Sequence, residues 1–176
     1  LETPLGGIAD VPTELREAFV EAPYLAAERV IQAALDQRVD WLLLTGNILA
    51  LDVASPYSLE FLLRQFQRLD EQGIAVYWLG ADCDDVDLWP AQLSLPSCVR
   101  LFPVGRLHQI EHQRDGKTVA RLVGKSTRRG ASWSATDFAG SDETVPRIAV
   151  VSGQTLKRSL EGTGIDYWAL GGEVRH

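Results

Sequence analysis

Methionine is absent from this sequence of 176 residues, cysteine occurs only twice, and no long apolar run is present. A chain that opens on Leu1 without any methionine is expected to be an internal fragment or a processed product. Cys83 and Cys98 cannot build a disulfide framework, so a reducing, cytoplasmic setting is the simpler reading. The apolar stretches are strand-sized, Trp41 to Leu44 for example, well short of the roughly 18 residues a membrane helix needs. No basic, apolar leader stands at the N-terminus, so no signal peptide is expected. Hydrophobic residues at 45% and charged residues at 23% are ordinary for a globular chain, which excludes collagenous and disordered classes. The length fits a single domain over residues 1–176, on a prior of about 150 residues per domain.

Net charge is −7, but the basic residues gather in one stretch. Between Arg100 and Arg129 stand Arg100, Arg106, Arg114, Lys117, Arg121, Lys125, Arg128 and Arg129, against only Glu111 and Asp115. A uniformly acidic protein binds nucleic acid poorly, because neutralising phosphates drives that binding. The local basic stretch keeps a polyanion partner open; a solvated basic hairpin is the plainer reading.

Strand-like and helix-like segments alternate, the mark of an α/β layered fold. Ala22 to Arg38 carries apolar residues at helical period, and Ser58 to Asp70 repeats it through Leu59, Leu62, Leu63, Phe66 and Leu69. Asp40 to Thr45 and Ile74 to Leu79 are short continuous apolar runs, expected as strands buried on both faces. Together they predict a βαβ unit with parallel strands and a right-handed crossover. Ligands in such sheets gather beyond the carboxyl ends of the strands, here Gly46 to Asp52 and Gly80 to Asp85. Val99 to Val104 reads as a further strand. Asp115-Gly116 between two alternating runs predicts a β-hairpin within 105–125. Residues 126–145 read as a long polar loop anchored by Trp133 and Phe138. Arg147 to Val151 and Asp166 to Leu170 complete the strands, with a short helix expected over Gln154 to Glu161.

Asp40-Trp41-Leu42-Leu43-Leu44-Thr45-Gly46-Asn47 resembles the second motif of calcineurin-like metallophosphoesterases, a Gly-Asp after a buried strand. Within that superfamily the order of segments is most similar to SbcD-type DNA repair exonucleases. Asp166 to Gly172 resembles the strand that leads into the family's Gly-His-x-His motif. Leu1 to Ile8 would follow the family's first motif, Asp-x-His, which this chain does not show. The resemblance implies a layered α/β sandwich with central mixed sheets flanked by helices. It also implies metal-dependent phosphodiester hydrolysis, DNA as substrate, and a partner ATPase of the SbcC type. The cofactor would be a manganese-type pair of divalent ions, about 3.5–4 Å apart, clamping the attacking and leaving oxygens.

Carried over residue by residue, the resemblance meets altered positions. Asn47 stands where the family has the Asp that bridges both ions, and an amide brings no charge to that task. Ala81-Asp82-Cys83-Asp84 stands for Gly-Asn-His-Asp; Asp82 and Asp84 are candidate metal ligands, and Cys83 holds the place of the catalytic His. Ser152 stands where a ligand His is expected, and Gly172 and Val174 fall at the two histidines of the last motif, with His176 beyond them. The expectation is a kept fold with an eroded site: weak or absent hydrolysis, or a non-catalytic interaction module that retains the architecture.

Other features have bland readings beside sharp ones. Gly124-Lys125-Ser126-Thr127 resembles a phosphate loop in part, but Val119 replaces the required glycine, so a strand end is expected. Asp82, Asp84, Asp85 and Asp87 could hold one hard cation, although a solvated acidic loop is more common. His108 and His112 share a strand face and are expected at the surface. Trp78 and Trp168 are expected in the core. Lys125, Arg128 and Arg129 are candidate nucleic-acid contacts, with loop solubility as the alternative.

Overall fold

The computed structural model describes residues 1, 12–128, 132–140, 144–153 and 160–172. A 3-10 turn at Thr13–Leu15 runs into helix α1, Arg16–Gln37. Strand β1, Trp41–Leu44, leads to helix α2, Pro56–Glu71, and strand β2, Ala75–Trp78. Strand β3 is Val99–Leu101, and the hairpin pairs β4, His108–Arg114, with β5, Lys117–Gly124. Strands β6, Arg147–Ser152, and β7, Tyr167–Gly171, follow. One sheet has the order β1-β2-β3 and the other β4-β5-β6-β7.

The first sheet is wholly parallel, with Leu42 opposite Val76 and Val76 opposite Val99. The second is mixed: β4 and β5 are antiparallel, while β5, β6 and β7 run parallel. Side-chain alternation along each strand builds the layers. Leu42, Leu44, Val76 and Trp78 face α1 and α2, joining Ile31, Leu62, Phe66 and Leu69 in one core. Trp41, Leu43, Tyr77 and Leu79 point the other way and meet Ile110, Leu122, Ile148 and Val150 between the sheets. The outer face of the second sheet is covered by Trp133 and Phe138, which pack on Val123, Ala149, Val151 and Trp168. The expected anchors of the polar loop do hold it down, and a short 3-10 helix, Ala135–Phe138, forms within it.

Local chemistry accounts for the element ends. Ser55 caps α2 by accepting from the Ser58 N–H at 3.2 Å, with Pro56 in the first turn. Asp115 and Gly116 both take positive φ, 52° and 74°, which the tight hairpin turn requires. Helix α1 begins at Arg16, earlier than its periodicity announces, and carries Pro23 inside. Most side chains of that first stretch are exposed, so no apolar stripe marked it. Strand β1 is half-buried along its length rather than buried on both faces, because it lies at the edge of its sheet. Strand β3 stops at Leu101, two residues before Pro103, instead of reaching Val104. The helix expected over Gln154 to Glu161 falls largely outside the described residues.

His112 departs from its expected surface position. It is only 8% exposed, its Nδ1 lies 2.8 Å from the Tyr77 hydroxyl, and its ring packs against Trp41. Burial pushes its imidazole below the ordinary value, with Asp40 opposing. An unfolded chain therefore takes up a proton that the folded chain resists. This contribution to stability is complete above the unfolded pKa of about 6.5 and is lost as pH falls below it. The urea midpoint is expected to drop between about pH 7.5 and 5.5, and the drop to shrink in His112→Gln. An identical drop in the variant would remove His112 as its source.

Candidate functional site

The parallel strands deliver their carboxyl ends to one edge of the molecule, and that edge is crowded. A Cβ built on Gly46 would lie 2.5 Å from the Ala81 Cβ and 3.3 Å from the Ser152 hydroxyl. One built on Gly171 would sit 1.9 Å from the Thr45 carbonyl oxygen, so only glycine lets β7 come this close to the end of β1. The Gly153 N–H donates to the Gly171 carbonyl at 2.9 Å. Asn47, the Asp82 loop, Ser152 and Gly172, far apart in sequence, thus belong to one constellation. The glycine contacts that join the two sheets left no periodic signal in the sequence.

Asp84 organises this edge. Its carboxylate is fully buried and accepts from the Ala81 N–H at 2.7 Å, the Asn47 N–H at 2.9 Å, the Ile48 N–H at 3.3 Å and the Trp78 indole at 2.9 Å. A cation could reach those oxygens only by displacing protein donors. The Leu51 N–H adds a bond to the Cys83 carbonyl at 3.1 Å, fastening the loop after β1 to the loop after β2. Asn47 is exposed, with φ of 58°, and its amide oxygen accepts from the Cys83 thiol at 3.5 Å. Burial first, then the Asp84 charge, raises the Cys83 thiol above its ordinary value, so the thiolate is scarce near neutral pH. Asp82 is exposed and, among the described residues, has no hydrogen bond or ion pair.

The basic loop after β5 meets the same edge. Gly124 closes β5, as expected for a strand end rather than a phosphate loop. The buried Ser126 hydroxyl accepts from the Gly80 N–H at 2.8 Å and donates to the Phe102 carbonyl at 2.6 Å. Lys125 lies 3.6 Å from Asp137 and is mostly covered. Arg128 donates to Asp85 at 2.6 Å and Asp87 at 2.9 Å, so two of the four acids in the cluster form a network with this guanidinium. Sequence reading treated them separately, since 43 residues part Arg128 from Asp85. Arg129, Val174 and His176 lie outside the described residues. Among the described residues, no group of three or more His, Cys, Asp or Glu side chains is placed to hold a metal ion. A cleft of about 920 Å³ is on the flank between β3 and β4 rather than at this edge.

No family model matches the chain. It is 27% identical over 186 aligned positions to an uncharacterized metallophosphoesterase, YhaO, of Bacillus subtilis strain 168. That similarity takes in 97% of this chain and 45% of the relative, so the chain spans less than half of that protein's length. The α/β architecture, with a parallel and a mixed sheet and helices, agrees with a metallophosphoesterase-type fold, and the similarity supports that superfamily. The superfamily implies use of divalent metal ions. Among the described residues no helix is long and apolar enough to cross a membrane.

Replacing Asp84 by Ala strands the N–H groups of Asn47, Ile48 and Ala81 and the Trp78 indole. The expected cost is on the order of 3 kcal/mol of folding stability, with Asp84→Asn costing less because one oxygen remains. Denaturant melts of both variants measure it; a near-neutral Asp84→Ala would refute the organising role of this carboxylate.

Proposed function

We propose that this chain is a metallophosphoesterase-type domain related to the SbcD-type DNA repair exonucleases, with a hydrolytic centre that has lost most of its metal donors. In the whole protein it would act on DNA phosphodiesters beside an SbcC-type ATPase. The supporting observation is the convergence of Asn47, Asp82, Ser152 and Gly172 at one sheet edge, the places where the resemblance puts the family's ligands. Similarity across 97% of the chain to a metallophosphoesterase supports the same reading.

The donors at those positions do not suit a pair of divalent ions. Asn47 offers a neutral amide, Ser152 a hydroxyl that is buried, and Gly172 no side chain. Asp82 is the free carboxylate, and the Asp84 oxygens already serve four protein donors. Hard divalent ions want several anionic oxygens, with imidazole where available. Loss of donors that merely orient the ligands costs about 10–100-fold in metal affinity or activity, and loss of ligands costs more. No hydrolytic step is therefore assigned to a metal pair on this chain. The alternative, a non-catalytic interaction module, gains from Asp84: the edge is held by hydrogen bonds that need no metal.

Calorimetric titration with manganese is expected to show no tight pair of sites. Cleavage of bis-4-nitrophenyl phosphate should be at most a trace, abolished by Asp82→Ala. Two tight manganese ions per chain, or cleavage indifferent to Asp82, would overturn the eroded centre. Duplex DNA is expected to bind modestly and with salt sensitivity. Replacing Arg128 and Arg129 together should lower the slope of log affinity against log salt by about 2. An unchanged slope would leave these arginines to solubility.

A further inference from the structure

The flank of the sandwich holds a polar cleft that the reading above does not use. Strands β3 and β4 each form one edge of their sheet, and the cleft of about 920 Å³ opens between them. Its size falls within the roughly 300–1,000 Å³ usual for small-molecule sites.

Register fixes what faces into it. Arg100 is the cross-strand partner of Tyr77, so both project from the same face of the first sheet. That face is turned to the second sheet, because Tyr77 packs with Phe102, Ile110, Leu122 and Val150. On β4, His108 alternates onto the same face as Ile110 and His112, which are buried toward the first sheet. Arg100 and His108 therefore line one opening from opposite sheets. The buried pair of Tyr77 hydroxyl and His112 Nδ1, 2.8 Å apart, lines it too.

The partners of the charged groups in this cleft then decide which of them can take a ligand. Two carboxylates line it, and both are engaged. Asp70 accepts from the Cys98 N–H at 2.9 Å and the Ser97 hydroxyl at 3.1 Å. Glu111 accepts from the Thr118 hydroxyl at 3.0 Å and Arg121 at 3.2 Å. Among the described residues neither Arg100 nor His108 has a hydrogen bond or ion pair. Arg121 offsets Glu111, Asp70 keeps its charge on the Cys98 side of the cleft, and Arg100 is the cation in the lining that no carboxylate among the described residues holds. A guanidinium suits phosphate because its fork of donors matches two oxygens at once.

We propose that the cleft between β3 and β4 binds a phosphate group, held by Arg100 from one sheet and His108 from the other. The phosphate belongs to a small metabolite or to a nucleic-acid backbone, and the two sources share this chemistry. The site is separate from the edge that carries Asn47 and Asp82, so it stands whether or not the proposed function does.

The test is a proton–nitrogen NMR titration of the whole chain with inorganic phosphate, chloride being exchanged to hold ionic strength constant. Saturable shifts confined to β3 and β4 are expected, with affinity falling at least tenfold in Arg100→Gln and severalfold in His108→Gln. Lys117→Gln, at the hairpin tip, should bind as the parent does. Adenosine monophosphate and a ten-residue oligothymidylate then separate the sources. Tighter binding of the monophosphate to the same residues marks a small ligand, and tighter binding of the oligomer marks a backbone. Shifts that map to Asn47 and Asp82 instead, shifts that never saturate, or an Arg100→Gln variant of parental affinity would each overturn the proposal.

Discussion

A single buried carboxylate holds the working edge of this molecule together. Asp84 is fully withdrawn from solvent and accepts hydrogen bonds from the loop after β1, the turn after β2 and the indole of Trp78. Burying an anion is costly unless its oxygens are satisfied, and here four donors are aimed at it. The same bonds hold Asn47 at positive φ, where a bulkier residue would be strained. Without that anchor, neither Asn47 nor the Asp82–Cys83 pair would have a defined position.

A second constraint acts across the sheets. The ends of β1 and β7 approach so closely at Thr45 and Gly171 that no side chain fits between them. Small residues at Gly46, Ala81 and Ser152 continue the contact. This closeness puts five chain segments around one edge, and the Ser126 hydroxyl links the second sheet to Gly80 and Phe102 of the first. The scaffold is thus closed by hydrogen bonds and steric fit among protein groups.

Local pattern made the layers legible and left the cross-links hidden. The runs at Leu42–Leu44 and Val76–Trp78 carried their strand assignment, and Asp115-Gly116 carried the hairpin, because both are features of neighbouring residues. The α2 stripe was equally plain, and Phe66 and Leu69 are indeed buried. What escaped were partnerships spanning long sequence separations: Asp84 with Asn47 across 37 positions, Arg128 with Asp85 across 43, Tyr77 with His112 across 35. Periodicity cannot encode these. His112 looked like a surface residue because its partners, Tyr77 and Trp41, come from the other sheet.

The basic stretch shows how far sequence charge can mislead about surface charge. Read along the chain, Arg100 to Arg129 is one cationic block; in space it is divided among separate carboxylates. Arg114 pairs with Asp40, Arg121 with Glu111, Lys125 with Asp137, and Arg128 with Asp85 and Asp87. A nucleic-acid backbone approaching Arg128 would have to replace two carboxylates that already hold it, gaining less than a free arginine would give. Exposed pairs of this kind are worth little, roughly 0–1 kcal/mol each, so such an exchange is affordable but not strongly driven. Among the described residues Arg100, Arg106 and Lys117 keep their charge uncommitted, and of these only Arg100 lines the large cleft. Of the charges in that stretch, the one that lines a cleft without a carboxylate partner is therefore on the flank, away from the edge to which the resemblance points.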